Sequence, residues 1–95
     1  MDLRKLLNQK NVNLVDVREP WEFESGHALR AINIPLATLP AKLEALKELD
    51  GPILLYCRSG MRSAQAMGLL KSMGLNEVYN AGSMNDVIYY QAQAV

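Results

Sequence analysis

The chain has one cysteine and one histidine among its 95 residues. A lone cysteine excludes an intramolecular disulfide and a thiol-bound metal cluster within one chain. A lone histidine excludes a site built from several histidines. Charge of one sign is also missing: ten Lys and Arg balance ten Asp and Glu. No overall field draws the chain to nucleic acid or to an anionic membrane, so any anion binding has to come from a local arrangement. No apolar run approaches membrane-spanning length, and the stretch from Met1 to Lys10 has no signal-peptide core. The expected location is therefore the cytoplasm, or the periplasm if a leader has been removed. Repeats, low-complexity segments and long linkers are absent as well. With 49% apolar residues, one globular domain is expected.

What is present reads as alternating helices and short apolar strands. Asp2 to Gln9 is a short helix candidate with Leu3, Leu6 and Leu7 on one side. Asn13 to Val17 has the length and composition of a strand. Pro20 suits the first turn of a helix that Ser25-Gly26 ends. Ala31 to Ile34 is a second strand candidate, stopped by Pro35. Thr38 to Leu49 reads as a helix capped by Thr38, with Leu39, Leu43, Leu46 and Leu49 as its apolar stripe. Ile53 to Tyr56 is a continuous apolar run, as expected of a strand buried on both faces of a parallel sheet. A helix from about Arg62 to Met73 follows, with Gly74 and Leu75 placed for a Schellman-type end. Glu77 to Tyr79 is a third strand candidate, Asn80 to Ser83 a turn, and Met84 to Tyr90 a last helix. Residues 91–95 read as a loose tail. This alternation predicts an α/β domain with a mainly parallel sheet, whose sites lie at the carboxyl ends of strands. Cys57 stands at such an end, and Asp16 near another.

Around Cys57 the residues form one device: a strand ends, a short loop turns, and a helix begins. The first N–H groups of a helix have no internal partner, and its dipole places partial positive charge there. A glycine-containing loop turns further N–H groups inward as an anion-binding nest. Gly60 supplies that freedom, while Arg58 and Arg62 add two cations. In such surroundings a thiol that ordinarily ionises near 8.5 falls to roughly 3.5–7.5. Cys57 would then be thiolate at neutral pH without a histidine base, in a cradle for an anionic substrate and a charged intermediate. Each residue also has a plainer reading. Lone cysteines are most often small buried hydrophobes, and arginines are mostly solvated. Ser59 and Ser63 serve equally well as backbone caps, and Gly60 as a turn residue. The placement of Arg62 at the helix start favours the functional reading for it more than for Arg58. Asp16 is expected to pair with an arginine or brace the loop, and His27 to be a hydrogen-bonded structural residue.

Three blocks of the sequence resemble the rhodanese homology domain. Asp16-Val-Arg-Glu19 with Trp21-Glu-Phe23 is similar to its first signature, and Gly26-His27 with Ala31-Ile-Asn-Ile-Pro35 to its second. Tyr56-Cys-Arg-Ser-Gly-Met-Arg-Ser63 is similar to its active-site loop, and Tyr79-Asn-Ala-Gly82 to its last strand and turn. Two departures stand out. Ala28 and Arg30 occupy the isoleucine and first-glycine positions of the second signature. Gly82-Ser83 replaces a common glycine pair, and the tryptophan expected after it is absent.

The resemblance implies a single rhodanese-like domain over residues 1–95 and a small thiosulfate sulfurtransferase. Cys57 would be the nucleophile and carry sulfur as a persulfide in a ping-pong reaction. Arg58, Ser59, Gly60, Met61, Arg62 and Ser63 would bind the substrate, with Asp16 and His27 in support. It implies a small anionic sulfur donor and a cyanide or thiol acceptor, with a protein acceptor also compatible. It implies no metal and no organic cofactor. Four residues separate Cys57 from Arg62, whereas phosphatases of the same fold have a loop one residue longer. That spacing, and the absence of a second cysteine to resolve an intermediate, place a phosphatase or arsenate reductase behind the sulfurtransferase. A non-catalytic docking or regulatory module is the other alternative.

Overall fold

In the computed structural model, which describes residues 2–93, the apolar run at Ile53 is a strand buried along its whole length. This strand, β3 (Ile53–Cys57), is central in a four-stranded, all-parallel sheet of order β2-β1-β3-β4. β1 is Asn13–Asp16, β2 Ile32–Asn33 and β4 Val78–Ser83. The side chains of β3 alternate between two cores. Ile53, Leu55 and Cys57 join Val15, Val17, Leu39, Leu46, Ala66 and Leu70 on one face. Leu54 and Tyr56 join Leu7, Leu14, Ala28 and Val87 on the other. Leu54 and Leu55 are completely buried, and each such side chain contributes roughly 1.5–3 kcal/mol.

The helices cover both faces because parallel strands need crossovers. One core takes residues from α3 (Leu43–Lys47) and α4 (Met61–Ser72), the other from α1 (Leu3–Leu7) and α5 (Met84–Ala92). The short α2 (Pro20–Glu24) has Pro20 in its first turn and leads toward the edge strand β2. Asp2 caps α1 by accepting from the N–H groups of Arg4 and Lys5. α4 ends in the expected Schellman geometry: Gly74 lies at φ +102°, and Leu75 N donates to Leu70 O at 3.1 Å.

Three expectations are corrected. The segment read as a helix from Thr38 to Leu49 is a 3₁₀ turn over Leu36–Lys42 followed by the short α3. Pro40 sits inside the 3₁₀ segment, where it lacks an N–H and disfavours α geometry at Leu39. Thr38 does not cap; its hydroxyl donates back to Pro35 O at 2.8 Å. The leucine stripe survives in part, with Leu39 and Leu46 buried and Leu49 exposed. Asn80 to Ser83 is not a turn but the second half of β4, where Asn80, Gly82 and Ser83 pair with Leu55, Tyr56 and Cys57. The register shift between Leu55 and Tyr56 leaves the buried Ala81 as the extra residue of a bulge. Finally, Gln91 and Ala92 belong to α5 rather than to a loose tail, and Gln91 donates to Leu29 O at 2.9 Å. Residues 94–95 of that expected tail lie outside the described residues. Among the described residues, no helix is long and apolar enough to cross a membrane.

The strand order places a switch point between β1 and β3. After β1 the chain moves outward to β2, then crosses back to β3 on the other side of β1. Crevices at such points, outside the carboxyl ends of the strands, are where ligands bind in open α/β sheets. Asp16 ends β1 and Cys57 ends β3 at this position.

Candidate active site

Cys57 is the last residue of β3 and is fully buried. The loop turns through Gly60, the residue preceding α4, at φ +93°. In this left-handed region an L residue costs about 1–2 kcal/mol. A Cβ at Gly60 would also lie 3.4 Å from the Gly82 Cα, so the loop sits directly on the bulged strand. The turn aims Gly60 N–H at the Cys57 Sγ across 3.0 Å. Ser63, in the first turn of α4, places its Oγ 3.6 Å from the same sulfur. Burial pushes the Cys57 thiol up, but the Ser63 hydroxyl and the N–H groups of Ser63, Ser59 and Gly60 outweigh it. The net effect is a thiol that ionises below its ordinary value.

Asn80 holds this cradle from β4. Its Nδ2 donates to Gly60 O at 3.2 Å, and its Oδ1 accepts from Gly82 N at 2.9 Å and from Ser63 Oγ at 2.7 Å. The bulge at Ala81 lets Asn80 reach the loop while Gly82 lies beneath Gly60. Sequence reading gave Asn80 a place in the last strand and turn but no contact with the loop, because its partners Gly60 and Ser63 lie about twenty positions away.

The two arginines make different contacts. The groups that chiefly lower the Cys57 thiol are the Ser63 hydroxyl and backbone N–H groups, and Arg62 adds a smaller coulombic contribution. Arg62 makes a forked ion pair with Glu22 of α2, at 2.7 and 3.0 Å. Its guanidinium is therefore already committed, and its pKa is raised first by Glu22, with a smaller contribution from Cys57. The hydrogen bond from Arg62 holds the Glu22 carboxyl down at about 2 against the cost of burial, assisted by Glu19 N–H. Glu22 was the second residue missed. Besides its place in the first signature, its local signal was its position three residues after Glu19 at a helix start, where the two form a capping box. Arg58 is exposed and, among the described residues, makes no salt bridge.

Asp16 ends β1, and His27 follows α2. Asp16 is fully buried and grips Arg18, accepting from its backbone N–H at 2.9 Å and from its guanidinium at 2.6 Å. Arg18 also donates to Gly26 O at 2.7 Å and lies over the Tyr56 ring at 5.8 Å. This buried pair braces the turn after β1. Tyr56 in turn accepts from Ala28 N at 3.0 Å, and burial pushes its phenol well up. His27 stacks on Phe23 at 3.7 Å, with Nδ1 2.9 Å from Phe23 O, on the exposed side of the turn.

Two openings flank the loop. One, of about 280 Å³, lies between α2 and the start of α5 and includes Trp21, Arg58, Met84 and Asn85. The other, of about 460 Å³, is walled by Val17, Leu36 and Ala37, with Glu19 and Arg62. Among the described residues, no cluster of three or more His, Cys, Asp or Glu is arranged to hold a metal ion.

A parallel α/β domain with a cysteine in a loop of converging N–H groups, set at the sheet's switch point, defines the class. The chain belongs to the rhodanese-like domain family, whose pattern it matches over residues 1–87. It is similar to the thiosulfate sulfurtransferase PspE of Escherichia coli, with 35% identity over 77% of this chain and 71% of that one. The uncharacterised protein YqhL of Bacillus subtilis is 44% identical over 75% of this chain, a match that spans only 56% of YqhL. Among solved structures, the human single-domain sulfurtransferase TSTD1 superposes with a TM-score of 0.75 at 30% identity, covering 92% of this chain and 89% of that one.

Proposed function

We propose that this protein is a sulfurtransferase that carries sulfur from a small anionic donor to a nucleophilic acceptor as a persulfide on Cys57. The observation that carries this reading is the Gly60 N–H aimed at the Cys57 Sγ from 3.0 Å in a site that favours the thiolate. A thiolate stabilised by N–H groups and a hydroxyl, with no adjacent histidine base, is suited to attack on sulfur rather than to proton transfer. The names of PspE and TSTD1 support the same reaction class.

With thiosulfate as donor, the Cys57 thiolate attacks the outer sulfur. A new S–S bond forms, the bond to the sulfonate sulfur breaks, and sulfite leaves with the electron pair. The terminal sulfur of the persulfide then carries the negative charge. The loop N–H groups stabilise it, a role supported by those of Ser59, Gly60 and Ser63, which already act on the Cys57 sulfur before charge arrives. An acceptor nucleophile, cyanide or a thiolate, next attacks that terminal sulfur and returns the electron pair to Cys57. The net reaction needs no oxidant and no cofactor. Two half-reactions sharing one covalent carrier predict ping-pong kinetics. Ser59 acts through its N–H, Arg62 and Met61 through the shape of the loop, and Asp16 and His27 through the fold around it.

Thiosulfate and cyanide should yield thiocyanate, with parallel double-reciprocal plots. Cys57→Ser should fold normally and lose this activity entirely. Substantial turnover by the folded serine variant would exclude Cys57 as the carrier.

A further inference from the structure

The 280 Å³ opening between α2 and α5 is at the small end of organic-ligand sites, yet roomier than a donor of thiosulfate's size requires. Three charged side chains line it: Arg18, Glu22 and Arg58. Arg18 is neutralised by Asp16, and Glu22 by Arg62. The guanidinium of Arg58 makes no salt bridge among the described residues, so the lining carries one uncompensated positive charge. Beside polar Ser25 and Asn85, the lining includes two apolar side chains: Met84, and Trp21 with 71% of its surface exposed. Folding does not account for an open indole at this position, since Trp21 belongs to neither core. A flat apolar face beside a lone cation matches an organic anion better than an inorganic one.

We infer that this pocket is the acceptor subsite and takes an organic thiol bearing a carboxylate. Arg58 pairs with the carboxylate, and Trp21 and Met84 cover the carbon body. Arg58 directly follows Cys57 in the chain, so an acceptor anchored there lies beside the sulfur-carrying loop. The acceptor thiolate attacks the terminal persulfide sulfur, the Cys57 Sγ–S bond breaks, and the product is an organic persulfide. This assignment rests on the sulfur-transfer reading above.

Trp21 is the only tryptophan, so its fluorescence reports occupancy of the pocket without any sulfur chemistry. The experiment has two arms. The first titrates the full-length protein with 3-(methylthio)propionate, a carboxylate without a free thiol. A saturable change in Trp21 emission is expected, lost in Arg58→Gln and kept in Arg58→Lys. The second measures discharge of thiosulfate-loaded protein by 3-mercaptopropionate and by neutral 2-mercaptoethanol. The ratio of the two rate constants should fall about five-fold in Arg58→Gln, the upper range for an exposed ion pair, and recover in Arg58→Lys. An unchanged ratio in Arg58→Gln overturns the acceptor assignment. If thiosulfate loads no sulfur at all, the sulfur-transfer reading fails, and with it the acceptor role. The fluorescence arm then decides the pocket alone: an Arg58-dependent change sustains an organic-anion site, and no change overturns it.

Discussion

Ser63 offers one hydroxyl proton to three acceptors: Asn80 Oδ1 at 2.7 Å, Gly60 O at 3.1 Å and the Cys57 sulfur at 3.6 Å. The arrangement lets the proton answer charge on sulfur, since hydrogen bonds to an ionised acceptor are stronger than neutral ones. Removing it should therefore act on the thiolate. In Ser63→Ala the midpoint of the Cys57 alkylation rate against pH should move up by about one unit, in line with the worth of one hydrogen bond to a charged group. An unmoved midpoint would assign Ser63 to loop structure alone. Arg30 is the other residue whose environment is informative. It stands where the family has glycine and adopts φ +65°, the one positive φ among the described non-glycine residues. Its guanidinium donates to Leu7 O at 3.1 Å, which ties this turn to α1. The glycine geometry is thus kept, with a side chain that compensates part of its strain. Arg30→Ala keeps the strain and loses the tether, so it should be less stable than Arg30→Gly by about 1 kcal/mol in urea unfolding. Equal stabilities would mean that the left-handed turn costs nothing here.

The Glu22–Arg62 pair joins α2 to the first turn of α4, and with it the turn after β1 to the sulfur loop. The Glu22 carboxyl ionises at about 2 instead of 4.5. A depressed carboxylate contributes stability that is fully present above its unfolded pKa and disappears as pH falls through its folded one. The protein should lose stability between pH 4.5 and 2, and Glu22→Gln should flatten that loss, as read from urea midpoints across the range. An identical pH dependence in both proteins would show that other carboxylates govern acid unfolding. Legibility at this scale was uneven. β3, α4 and its Gly74 end were readable because one short run of residues carries each signal. The Glu22–Arg62 pair was not, because its partners are forty positions apart. Asn80 to Gly82 reads locally as a turn, yet pairing with β3 holds it as a strand, so tertiary context overrode composition. Pro40, two residues after Thr38, suits the first turn of an α-helix, yet its missing N–H equally suits the 3₁₀ turn that forms.

For the molecule as a whole, the parallel order β2-β1-β3-β4 does the positioning. It brings the ends of β1 and β3 side by side at the switch point, with α2 and α4 on the rim. The strand, the loop and the helix start around Cys57 were legible in the sequence, because they lie within a dozen residues. The source of the sulfur's polarisation was not. Two nearby arginines suggested full cations, whereas a hydroxyl and backbone N–H groups are the main groups that lower the thiol, and Arg62, paired with Glu22, contributes less. On the proposed function, a buried sulfur held this way carries sulfur covalently, and that is directly weighable. The decisive measurement is intact mass after incubation with thiosulfate, before and after cyanide. The predicted result is a gain of one sulfur atom located on Cys57, removed by cyanide with release of thiocyanate. A folded protein whose mass is unchanged by thiosulfate, or whose added sulfur lies elsewhere than Cys57, would contradict it.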